Sequence, residues 1–120
     1  MTSAATTAKI DPYSLKFIPY WAALDRIVGD AGPMATVTLP RVPGLRMLYD
    51  ESDAGSGLAE VNDLGRLVIE ALGRPYQAEL RGQIGIYLAD AEGQPADMPL
   101  ALRDRLQYEV SRARASLSTT

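Results

Sequence analysis

The chain has 120 residues, enough for one domain to bury a core without metal or disulfide, and its 47% hydrophobic and 22% charged content is that of a globular protein. It contains no cysteine and no histidine, which excludes thiolate chemistry and removes the commonest general base and transition-metal ligand; the net charge of −3 argues against nucleic acid as the main partner. No apolar run approaches the roughly 18 residues of a membrane span, and the first residues lack the apolar core of a signal peptide, so a soluble protein made in the cytoplasm is expected.

Residues 1–10 are small, polar and threonine-rich, the composition of an N-terminal arm; one domain is expected over 11–117, with a short tail at 118–120. After Asp11-Pro12-Tyr13-Ser14, an aromatic patch of Phe17, Tyr20 and Trp21 leads into Leu24, Ile27 and Val28. Pro19 suits the first turn of a helix, where its missing N–H is not needed. Trp21, Leu24 and Val28, with Ile27 beside them, then form an apolar stripe at spacings of three and four. The patch reads as core filling or, more sharply, as a docking surface or ligand wall.

Ala35, Val37 and Leu39 alternate with Thr36 and Thr38, which predicts a short strand, and Leu45 to Tyr49 resumes the extended pattern after Pro40 and Pro43-Gly44. Proline cannot donate to a sheet ladder, so this piece belongs at an edge or in an arm. A polar, glycine-rich loop follows from Asp50 to Gly57. Leu58, Val61, Leu64, Val68 and Leu72 recur at helical spacing, with Ser56 as candidate N-cap and Gly73-Arg74-Pro75 as the stop.

From Tyr76 to Leu88 the even positions are apolar or small and the odd ones mostly polar, the period of a half-buried strand. A straight strand of that length would reach roughly 45 Å at ~3.3 Å per residue, long for a small domain, so a bend is placed at Gly82 or Gly85. A turn at Asp90 to Pro95 leads to a last helix near 99–117, with Asp97 as candidate cap and a seam of Leu102, Leu106, Val110, Ala113 and Leu117. The order α, β, (β), α, β, α predicts an α+β fold: a small, mostly antiparallel sheet with about three helices packed on one face, the long strand near 76–89 and a C-terminal helix.

Several stretches could carry chemistry. Asp50, Glu51 and Asp53 could hold Ca²⁺ or Mg²⁺, but they miss the calcium-loop spacing and read as solvated carboxylates. Gly55-Ser56-Gly57 lacks the lysine and full spacing of a phosphate loop, and Gly82-Gln83-Ile84-Gly85 lacks basic residues between its glycines and falls inside an alternating strand. No carboxylate pair stands out among the fifteen acids, and Lys9 and Lys16, the only lysines, sit in no catalytic motif. No catalytic, cofactor or metal residue is therefore assigned.

Residues 101–120 carry four arginines against two acids, or +2, while residues 1–100 carry eight basic and thirteen acidic groups, or −5. Arg103, Arg105, Arg112 and Arg114 thus give the last helix a basic character suited to salt bridges between subunits. The expectation is a non-enzymatic assembly subunit of a homo-oligomer or multi-protein particle, such as a virus or phage connector, tail or capsid-accessory protein, whose sheet edge and tails are completed by neighbours. Phe17, Tyr20, Trp21 and the four arginines are its candidate interface residues. One rival is a small-molecule-binding domain or small enzyme with a pocket between Trp21, the sheet and the last helix, offering Tyr20, Tyr76 or Tyr108 as a polar handle. Another is a regulator that docks through the basic helix.

Overall fold

A computed structural model describes residues 5–28, 34–51, 59–75 and 79–118. The described elements are β1 (Thr6–Ile10), β2 (Leu15–Pro19), α1 (Tyr20–Ile27), β3 (Met34–Thr38), β4 (Leu45–Asp50), α2 (Asp63–Ala71), β5 (Ile84–Ala89), β6 (Pro95–Ala96) and α3 (Leu100–Ser118). Every strand pairing is antiparallel, in the order β2-β1-β5-β4-β3, with β6 paired to the far end of β5. The fold is α+β, and a C-terminal helix ends it, as the spacing of its leucines predicts.

The first strands depart from the composition-based reading. Residues 1–10 were expected to form a polar arm, yet Thr6–Ile10 is an interior strand paired on both sides, with Thr7, Ala8, Lys9 and Ile10 buried. Threonine is polar by composition but β-branched by shape, and it suits a pleated surface as well as valine does. Asp11 makes the turn into β2: its carboxylate accepts the Tyr13 and Ser14 N–H groups at 2.7 Å each, and Lys9 Nζ lies 3.7 Å away. The Asp-Pro-Tyr-Ser stretch is thus a hairpin loop.

Each side of the sheet carries a helix or two, not one side alone. Ala8, Ile10, Met47, Ile84 and Ile86 face α2 and α3, where Leu64, Val68, Ile69, Leu102, Leu106 and Val110 complete the main core. Residues of opposite parity, Leu48, Tyr87 and Ala89, meet Ala23 and Ile27 of α1 in a second cluster. The expectation of three helices on one face fails because the odd positions of β5 are not wet: Gly85 and Tyr87 are buried under α1. A β-carbon at Gly85 would lie 3.0 Å from Ile27 Cδ1 and 3.1 Å from Thr7 Cγ2, so the glycine marks a close approach of helix to sheet.

The phase of α1 also differs from the stripe expected for it. Ala23 and Ile27 are buried, whereas Trp21 is 67% exposed. Pro19 ends β2 and stands just before the helix, with φ −58° and ψ 146°, so it is the N-cap residue and not part of the first turn.

The long strand is shorter than the alternation suggests. Of residues 76–89, 76–78 lie outside the described residues and only Ile84–Ala89 is strand; Gly82, at φ 82°, turns the chain just before it, at one of the two places expected to bend. Upstream, Leu80 O accepts the Asn62 N–H at 2.8 Å and Glu60 O accepts the Gly82 N–H at 2.9 Å, so residues 60–62 and 80–82 run side by side.

The middle helix starts later than its apolar spacing implies. Asn62, not Ser56, caps α2, its Oδ1 accepting the Gly65 N–H at 2.9 Å; Ser56 and Leu58 lie outside the described residues. Gly73 stops the helix as expected. At φ 99° its N–H reaches Glu70 O at 3.1 Å, and the Arg74 N–H reaches Ile69 O at 3.0 Å, the paired bonds of a Schellman ending. In α3 the seam of Leu102, Leu106, Val110 and Ala113 is buried as spaced, with Leu117 packed against its end.

Candidate interface at the sheet edges

The strand order leaves two outer edges, β2 and β3, and their residues treat those edges differently. Along β2, Lys16 and Pro19 are both exposed. An exposed lysine and a proline are the usual devices against strand addition, one by charge and one by removing a donor. The α3 helix also flanks this edge: Leu15 and Phe17 line a cleft with Gln107, Val110, Ser111 and Arg114, and Arg114 Nη2 donates to Tyr13 O at 2.9 Å.

Strand β3 has none of these defences. Its sequence, Met-Ala-Thr-Val-Thr, contains no charge and no proline, and Met34, Thr36 and Thr38 are exposed. The direction of its backbone groups follows from the register. Leu39, which continues the register opposite Leu45, donates its N–H to Leu45 O at 2.9 Å and so points toward β4. Neighbouring residues alternate, so Val37 and Ala35 also point inward, while Met34, Thr36 and Thr38 turn their N–H and C=O groups outward. Among the described residues no strand pairs with that side. As Pro40 implies, β3 is an edge strand.

The arginines of α3 divide into two kinds. Arg103 stacks over the Phe17 ring at 5.8 Å, and its Nη2 donates to Thr6 Oγ1 at 3.0 Å; with Arg114 it ties the helix to the β1–β2 hairpin. Arg112 is exposed, lies 5.8 Å over the Tyr108 ring, and pairs at 3.5 Å with Glu109, a carboxylate only 8% exposed beside α2. Arg105 is exposed on the same outer side. Of the four, Arg103 and Arg114 bond to the hairpin, and Arg105, Arg112 and Arg114 are exposed.

The aromatic residues are likewise dispersed. Phe17 lies on the main-core side, Trp21 stands out from α1, and Tyr20 packs edge-on against Tyr87 with ring centroids 5.1 Å apart. Burial, together with the neighbouring Tyr87, raises the Tyr20 pKa above its ordinary value. The two helices that would have enclosed a pocket, α1 and α3, occupy opposite faces of the sheet, so Trp21 and α3 do not share a cavity; Tyr76 lies outside the described residues, and Tyr108 is exposed.

Shallow clefts lie elsewhere among the described residues. One of ≈160 Å³ between α2 and α3 holds Glu109, one of ≈240 Å³ beside the end of α1 holds Arg26 and Glu60, and the ≈310 Å³ cleft along β2 holds Arg114. Each contains at most one carboxylate, and Glu60 accepts a hydrogen bond from the Tyr13 hydroxyl, so none of the three supplies a carboxylate pair across a scissile bond. Of the acidic loop, Asp50 is buried at the end of β4, Glu51 is exposed, and Asp53 lies outside the described residues. Among the described residues no three acidic side chains come together as a metal site would require, and no helix is long and apolar enough to cross a membrane. No protein-family model, curated protein or solved structure matches the chain.

The β3 edge is the feature that sequence reasoning placed correctly but did not select. Its signal was present in the letters: Thr36, Val37 and Thr38 favour strand, residues 34–38 carry no charge, and Pro40 stands two positions beyond.

Proposed function

We propose that this chain is a non-catalytic assembly subunit that associates with further copies of itself by extending its sheet across β3. The observation that carries the reading is the uncharged outer edge of that strand, where three residues direct their backbone groups away from β4 and no described strand pairs with them, while the opposite edge of the sheet is protected. Monomeric proteins blunt such edges, because every unpaired N–H and C=O in an extended row is a template for another strand. A sheet guarded on one side only can accept a further strand at its open edge and stops at the other. The exposed Met34 at the start of β3 adds apolar area at the same border.

Light scattering of the purified chain across a concentration series tests the reading. A defined mass above that of one chain is expected. A single-chain mass persisting to millimolar concentration overturns it.

A further inference from the structure

Resting on that reading, we infer that the strand added to β3 is β3 of a second copy, antiparallel to the first and related to it by a two-fold axis at Thr36. The sequence of the strand is compatible with its own reversal about that residue. Thr36 would face Thr36 of the other copy, Met34 would face Thr38, and Ala35 would face Val37. Side-chain parity is kept in every pair. Ala35 and Val37, half-buried on the main-core side, would meet each other, and the exposed Met34, Thr36 and Thr38 would meet on the other face.

The backbone agrees with the same centre. Residues 34, 36 and 38 are those whose N–H and C=O groups point outward, so an axis at Thr36 makes Thr36–Thr36 and both Met34–Thr38 pairs hydrogen-bonded ones. An axis at Ala35 or Val37 would centre the seam on a non-hydrogen-bonded pair and bring only two hydrogen-bonded pairs together within residues 34–38, against three for an axis at Thr36. No charges oppose each other directly, because the strand contains none. A closed two-fold pairing also consumes the open edge, which limits assembly at this seam to two copies.

The native chain has no cysteine, so a single introduced thiol can bond only to its counterpart in another copy. At a hydrogen-bonded pair the two Cα atoms are about 5.5 Å apart, within disulfide reach, whereas residues 38 of the two copies would be separated by roughly 14 Å along the strands. Under mild oxidation Thr36→Cys is expected to give a covalent dimer and Thr38→Cys to remain monomeric on a non-reducing gel. Thr36→Lys, which sets two like charges face to face, should shift the mass at micromolar concentration toward the single chain. Hydrogen exchange on the unmodified protein supplies an independent readout: the Met34, Thr36 and Thr38 amides should gain protection as concentration rises.

Equal cross-linking at both positions, or an assembly whose mass and exchange ignore Thr36→Lys, overturns the inference and leaves the assembly reading standing on another surface. A chain that stays single at every concentration overturns both.

Discussion

Asn62 can cap the second helix because residue 65 is glycine: a β-carbon there would lie 2.9 Å from Asn62 Nδ2 and 3.1 Å from Ile84 Cδ1. The fully buried amide then makes three bonds at once. Its Oδ1 accepts the Gly65 N–H, and its Nδ2 donates to Ile10 O at 3.0 Å and Gly82 O at 2.8 Å, so one side chain joins α2, the end of β1 and the turn before β5.

Replacing that amide separates its two roles. Asn62→Ala should cost about 3 kcal/mol, the loss of a cap plus buried carbonyls left without a donor. Asn62→Asp should cost more, although aspartate caps helices well in general, because a carboxylate cannot donate to the two carbonyls and would be a charge in a fully buried site. Gly65→Ala should destabilise despite alanine's better helix propensity. Urea denaturation of the three variants checks the order; an aspartate variant as stable as wild type would contradict the donor role.

Removing Met1 to Lys9 should abolish folding. The deletion takes four of the five residues of a strand that pairs with both β2 and β5, and it strips the main core of Ala8. Circular dichroism and amide dispersion of the truncated chain should show loss of cooperative structure, whereas an intact core would restore the reading of this segment as an arm.

The arginines of α3 should separate by stability. Arg103→Ala loses the Phe17 stack and the Thr6 bond and should cost about 1 kcal/mol. Arg105→Ala, on the exposed side, should stay within about 0.5 kcal/mol of wild type. Equal effects on the denaturation midpoint would erase the distinction between the two.

Tyr20 should give the fold an alkaline dependence. Its pKa is raised in the folded state by burial and by the neighbouring Tyr87, so its contribution is complete below about pH 10, the ordinary tyrosine value. As pH rises beyond that, the unfolded chain ionises first, and stability is lost through the higher folded pKa. Tyr20→Phe should make the decline in melting temperature above pH 10 shallower, and an unchanged slope would remove Tyr20 as its source.

What the letters disclosed tracks how strongly each element's environment differs between its two sides. The last helix was legible because Leu102, Leu106, Val110 and Ala113 meet one continuous core and their neighbours meet water. Gly73 was legible because a left-handed residue after an apolar helix has few alternatives to glycine. The phase of α1 was not, since Tyr20, Trp21, Ala22, Ala23 and Leu24 are apolar or aromatic on every side of a short helix. Strand β5 misled for a related reason: the polar-looking odd positions include Gly85 and Tyr87, which are covered from the second side. The hairpin of β1 and β2 was hidden by residues whose polarity and shape give opposite advice.

The candidate edge was placed by Pro40 and the alternation of Ala35, Val37 and Leu39, yet its significance needed the other edge for comparison. Neither the opposite border with Lys16 and Pro19 nor the outward direction of the Thr36 backbone can be read without the strand order.

The pairing of Ala8 with Ile86 sets the timetable of folding as the polypeptide is made. The first strand leaves the ribosome long before its interior neighbour has been translated, and until then Ile10 has no β5 to lie against. Such distant partners delay productive closure, so the newborn chain passes through an interval with a greasy, half-finished hairpin exposed. Chaperone demand should therefore begin in that early window and fall only once the last helix, whose Leu102, Leu106 and Val110 cover the same sheet face, has emerged.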